Sequence, residues 1–173
     1  MFFKGSKKFN KGFSIIEVLV AISVILVSFT AALNLINRSM AFHDLAYSRL
    51  VASYLAQEGI EIVRNIRDNN FIANQTWNNG LAAGDYQVQY NDLSLKDYTG
   101  EPLNLDTTTG LYNYEPSSPT NVPTRYTRKI VIEKISDNHI RVQSIVSWSN
   151  RGGNFQIIVE DHLYNWLNEK NSL

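Results

Sequence analysis

Cysteine is absent from the 173 residues, which excludes disulfide staples, thiolate metal sites and cysteine nucleophiles together. Any folded part must hold by packing alone. Proline is scarce, four residues with the first at Pro102, so nothing in the first hundred positions forces a helix to break. Net charge is also missing: 16 basic residues balance 16 acidic ones, and no global field favours nucleic acid or an acidic substrate. The most local absence is of charge between positions 13 and 36, where Glu17 is the sole ionisable side chain.

What is present is distributed unevenly. The first twelve residues hold Lys4, Lys7, Lys8 and Lys11 and no acid, so a chain without them changes from a formal charge of 0 to −4. Phe13 to Ile36 follows as an apolar run, interrupted only by small polar residues and Glu17. At about 1.5 Å per residue it makes roughly 36 Å of helix, enough to cross a bilayer. The preceding lysines favour a cytoplasmic N-terminus with the remainder outside. A cleaved signal peptide or an ordinary signal anchor would also carry such lysines. Neither accounts for a carboxylate five residues into the apolar run, where burial in lipid costs about 2 to 3 kcal/mol on insertion scales.

The stretch Lys11-Gly12-Phe13-Ser14-Ile15-Ile16-Glu17-Val18-Leu19-Val20-Ala21 resembles the processing site of type IV prepilins and pseudopilins. The resemblance implies a leader, residues 1–12, with Lys7, Lys8 and Lys11 as its charges. It implies cleavage between Gly12 and Phe13 by a membrane prepilin peptidase, N-methylation of Phe13, and a role for Glu17 in filament assembly. In such filaments the carboxylate pairs with the terminal amine of an adjacent subunit. That pairing offsets two buried charges and fixes axial register, because a shifted neighbour leaves both unpaired. Many major pilins carry a proline inside this segment, and its absence here leans toward a minor pilin or pseudopilin.

Residues 37–173 read as the globular head, including the second half of the helix. Leu45, Ala52, Leu55, Gly59, Ile62 and Ile66 recur at helical steps, opposite Arg49, Glu58, Glu61, Arg64 and Asp68, which are expected to form a solvated face. Gly59 predicts close packing on a sheet, and the helix is expected to stop near Asp68 to Asn70. The period then changes to two. Tyr126 to Ile135, Ile140 to Trp148 and Phe155 to Leu163 predict an antiparallel meander, Asp85 to Tyr90 a first strand, and 91–124 a long loop. The expected fold is α+β and pilin-like: one long N-terminal helix, transmembrane then amphipathic, packed on an antiparallel sheet of about four strands.

Chemistry is sparse. His43, His139 and His162 show no metal-binding spacing and are expected to be structural or solvated. Asp92, Asp97, Glu101, Asp106 and Glu115 lie in the 91–124 segment without the calcium-loop spacing, and no cofactor or metal is expected. Tyr98, Tyr112 and Tyr114 are expected to cover the sheet. Arg128, Lys129, Lys134, Arg141 and Arg151 are read as ordinary strand exteriors, interleaved with acids, and not as a nucleic-acid surface.

No nucleophile elbow, phosphate loop or zinc helix occurs, so the chain is expected to be a substrate of enzymes and not itself an enzyme. The expected partners are the prepilin peptidase, other pilin subunits, the membrane and an inner-membrane assembly platform. The expected location is the plasma membrane before assembly and a surface or periplasmic filament afterwards. A tip adhesin or DNA-uptake pilin working through the 91–124 loop, and a simple signal-anchored protein, are the alternative readings.

Overall fold

The computed structural model describes residue 12 and residues 14–115, 119–150 and 152–167. Phe13 and the leader residues Lys7, Lys8 and Lys11 lie outside the described residues, as does Arg151. The chain divides into two compact units, Met1–Asp44 and Leu45–Leu173.

Helix α1 runs from Ile15 to Ile72, as the lack of proline permits. In the first unit its apolar side chains, from Ile15 to Ile36, are exposed. Such a surface is tolerable only in lipid or against other apolar helices.

In the second unit α1 buries the expected stripe of Ala52, Leu55, Gly59, Ile62 and Ile66. The helix ends at Ile72, two residues beyond the Asp68 to Asn70 stretch. Those polar side chains do not compete for the helix backbone: Asn69 bonds the Asn65 side chain, and Asn70 donates to the Trp77 and Asn79 carbonyls. Termination falls instead to Asn74, in the left-handed region at φ 54°. The Gln75 amide reaches back to the Asn70 carbonyl at 2.9 Å and the Asn74 amide to Phe71 at 3.2 Å. This is a Schellman arrangement, which satisfies carbonyls the helix end would otherwise orphan.

Among the described residues eight strands follow: β1 (Gly84–Gln87), β2 (Lys96–Asp97), β3 (Asn104–Asp106), β4 (Tyr112–Asn113), β5 (Asn121–Pro123), β6 (Tyr126–Ser136), β7 (His139–Asn150) and β8 (Gly153–Tyr164). The main sheet has five strands in the order β2-β1-β6-β7-β8, and every pairing in it is antiparallel. The β6-β7-β8 meander matches the period-two reading. Its β7–β8 turn uses Gly152 at φ 79°, a conformation that side chains rarely adopt.

Two expectations need correction. Strand β1 is shorter than Asp85 to Tyr90 because Val88 and Gln89 leave the ladder. The Val88 carbonyl accepts from Arg128, and the Gln89 amide donates to Asp92. The 91–124 segment is not simply a loop: β3 to β5 form a second antiparallel sheet ordered β4-β3-β5. Strands of two or three residues carry no detectable period. This sheet is reinforced by side chains, Asn113 and Asn121 exchanging amide hydrogen bonds at 2.8 and 3.3 Å.

The core of the second unit forms two clusters. One gathers Ile60, Val63 and Ile66 of α1 against Ile130, Ile132 and Val142; the other gathers Ala52, Leu55 and Ala56 against Tyr126, Val146 and Trp148. Between them lies a polar level made by Gly59, Arg128 and Ser144. A Cβ on Gly59 would stand 2.5 Å from Ser144 Oγ and 2.8 Å from Ile130 Cδ1, so helix and sheet touch where only hydrogen fits. Close packing, as expected, accounts for this glycine.

Candidate functional site

The N-terminal region presents three features in a short span. Gly12 is exposed, with nothing within 4 Å of the position a Cβ would occupy. The Ser14 carbonyl accepts from the amides of Glu17 and Val18, at 3.1 and 3.2 Å, which opens α1 just past the glycine. Glu17 sits in the first turn, where the helix dipole favours a carboxylate, and its side chain is exposed.

Beyond Glu17 the three hydroxyl interruptions are satisfied within the helix. Ser23, Ser28 and Thr30 donate to the carbonyls of Leu19, Val24 and Val27 at 2.8 to 2.9 Å. With these hydroxyls spent locally, they present little polarity to lipid. Between positions 14 and 36 Glu17 is the one ionisable side chain. Among the described residues one helix is long and apolar enough to cross a membrane, and the window that qualifies is entirely unburied.

The head shows where the remaining candidates fall. Asp92 accepts from the Gln89 amide and pairs with Lys96; Asp106 caps its own turn through the Thr108 amide and the Thr109 hydroxyl. These contacts hold the Asp106 carboxyl below the usual carboxylate range, the Thr108 amide contributing most. Glu115 accepts from Gln89 at 3.3 Å. Asp92, Asp106 and Glu115 are thus engaged separately, and among the described residues no group of three or more His, Asp or Glu could hold a metal ion.

The tyrosines cover the sheets. Tyr114 donates to the Arg128 carbonyl at 3.1 Å, and burial pushes its hydroxyl pKa upward. Tyr112 meets the edge of Tyr126, and Tyr98 lies under Lys129.

Arg128 corrects the reading of strand exteriors. Its side chain has no exposed surface. Nη1 donates to the Leu55 carbonyl at 2.9 Å and to Glu58 at 3.1 Å, while Nη2 donates to the Val88 carbonyl. The odd-even pattern of β6 did place position 128 inward. The charge masked that signal, because burial of an arginine depends on acceptors remote in sequence.

The helix face expected to be solvated is corrected likewise: Glu58 is engaged by Arg128, and Arg64 pairs with Asp161 of β8 at 2.7 Å. The Asp161 contact is the main cause that raises the Arg64 pKa. Asp161 and its neighbour Glu160 point to opposite faces, Glu160 bonding Gln143 on the outer side.

His139 and His162, unrelated by spacing, are brought together by the β7–β8 register, with Nε2 and Nδ1 2.7 Å apart. His43 is exposed on α1. Sequence spacing could not show the pair, since it depends on which residues lie diagonally across two strands.

The fold and the N-terminus together define a class: an α+β head that continues from a helix suited to a membrane. Residues 7–33 match the family model of the prokaryotic N-terminal methylation motif, and no curated protein or solved structure gave a match. That motif is the type IV prepilin signal, so over this stretch the chain is similar to type IV pilins. Type IV pilins are structural subunits.

Proposed function

We propose that this chain is a minor pilin or pseudopilin, stored in the plasma membrane through residues 13–36 and assembled through the same helix into a type IV or secretion-type filament. Prepilin peptidase removes residues 1–12 by cutting between Gly12 and Phe13, and the new Phe13 amine is methylated. Other pilin subunits and an inner-membrane assembly platform then receive the processed chain.

The observation that carries this reading is the placement of Glu17. It is a lone carboxylate one helical turn from the Phe13 amine that cleavage would uncover, at the start of an unburied apolar helix. Removing the leader replaces several lysine charges with one terminal ammonium. A neighbour's ammonium against Glu17 lowers the cost of burying both and penalises any other axial register.

The test is to measure the N-terminal mass of the chain from membranes and from sheared filaments. Both should begin at methylated Phe13. A filament fraction that retains the lysine-bearing leader, or begins downstream of Glu17, overturns the reading.

A further inference from the structure

At the far end of the β7–β8 ladder, two imidazoles face each other on the outer surface. The register opposes His139 to Tyr164 and Arg141 to His162, which leaves the histidines diagonal neighbours. His139 Nε2 lies 2.7 Å from His162 Nδ1. Each ring is held by a further contact. Tyr164 stacks on His139 with centroids 4.3 Å apart and planes 14° from parallel, and the outer nitrogen of His162, Nε2, lies 3.2 Å from Glu160 Oε1.

The backbone beneath is also fixed. The Asn165 amide donates to the Asn138 carbonyl at 3.0 Å, and the two side chains bond at 3.1 Å. This pins the start of β7 to the end of β8.

We propose that His139 and His162 form a two-imidazole chelate for a divalent transition ion of the Cu(II) or Ni(II) kind, with solvent completing the coordination sphere. Glu160 accepts the proton on His162 Nε2, which leaves the Nδ1 lone pair facing His139. A carboxylate behind a ligating histidine orients the ring and raises its basicity. His139 needs only to carry its proton on Nδ1 for a second lone pair to face the same gap.

Two imidazoles favour Cu(II) on the general affinity order, and the separation is compatible with a tetragonal complex. With metal–nitrogen bonds of about 2.0 Å, cis nitrogens of a tetragonal complex stand about 2.8 Å apart, whereas tetrahedral zinc needs about 3.3 Å. The observed 2.7 Å lies near the first. A modest turn of the rings brings both lone pairs onto one point, and His162 is exposed enough to allow it. Local charge does not oppose a cation, since Arg141 is paired with Glu133 and lies 3.9 Å from Glu160. Two nitrogens make an open and exchangeable site, not a structural one.

Cu(II), Ni(II) and Zn(II) are titrated into the full chain in detergent micelles, with calorimetry as the readout. Cu(II) and Ni(II) are expected to saturate at one ion per chain, more tightly than Zn(II). His139→Gln and His162→Gln should each weaken Cu(II) at least ten-fold, while His43→Gln leaves it unchanged. In the unsubstituted chain, Cu(II) should broaden the ring proton resonances of His139 and His162 first, a measurement that requires no variant to fold. Absence of saturable binding, an affinity unaltered in either single variant, or first broadening at His43 overturns the proposal.

Discussion

Arg128 and Glu58 meet at 3.1 Å across the boundary between helix and sheet, and the guanidinium has no exposed surface. The pair joins β6 to α1 over a separation of 70 residues. Two carbonyls, Leu55 and Val88, share the same guanidinium. Glu58 is partly exposed, so water tempers what the ion pair itself contributes.

Arg128→Ala is therefore expected to destabilise the head by about 3 to 5 kcal/mol, because it leaves the Glu58 carboxylate and the Val88 carbonyl without this donor and opens a cavity. Arg128→Met, which fills the volume, should cost distinctly less when combined with Glu58→Gln. Urea unfolding followed by circular dichroism gives both values, and equal losses would show that volume alone matters.

Gly59→Ala should destabilise the head although alanine is the better helix former by about 1 kcal/mol. The new methyl would stand 2.5 Å from Ser144 Oγ. Overpacking of this kind costs about 1 to 3 kcal/mol. Ser144→Ala removes a buried hydroxyl that has no hydrogen-bond partner, so by itself it should be close to neutral and should partly rescue Gly59→Ala. A double-mutant cycle in thermal unfolding tests the coupling, and strict additivity would count against close contact at this point.

Glu17→Val should be inserted in the membrane and cut after Gly12 as efficiently as the parent, yet fail to enter filaments. Valine lowers the cost of the helix in lipid but removes the acceptor for a neighbour's amine. Comparing membrane and sheared fractions by immunoblot separates storage from assembly. Equal incorporation of the variant would remove Glu17 from the assembly step.

Asp106 gives the head a pH-dependent contribution in acid. Its folded pKa is depressed, so the unfolded chain binds the proton more readily, and stability is lost as pH falls. The contribution is complete above the ordinary aspartate range near about 4 and disappears as pH drops through the lower folded value. The difference in melting temperature between the parent and Asp106→Asn should be largest near neutrality and shrink below about pH 4. A constant difference across that range would assign the effect to the amide side chain and not to titration.

Much of the fold was legible because the informative signals were local. The β6-β7-β8 meander could be read from alternation such as Ile140, Val142, Val146 and Trp148, since each residue reports its own side of the sheet. The N-terminal region was legible for a similar reason: glycine, carboxylate and apolar run lie within one continuous stretch. The β3 to β5 sheet was not, because its strands are too short to show a period and rely on Asn113 and Asn121. Helix termination at Asn74 was obscured by earlier asparagines that found acceptors elsewhere. The burial of Arg128 and the His139–His162 pair depend on register and on distant carbonyls, which composition does not encode.

The reach of Arg128 also makes the head difficult to leave half built. Its one guanidinium answers to residues 40 and 70 positions earlier in the chain, so neither the Val88 carbonyl nor the Glu58 carboxylate meets it until β6 has docked. A nascent or clipped subunit that ends before that strand keeps raw polar ends where its interior should be.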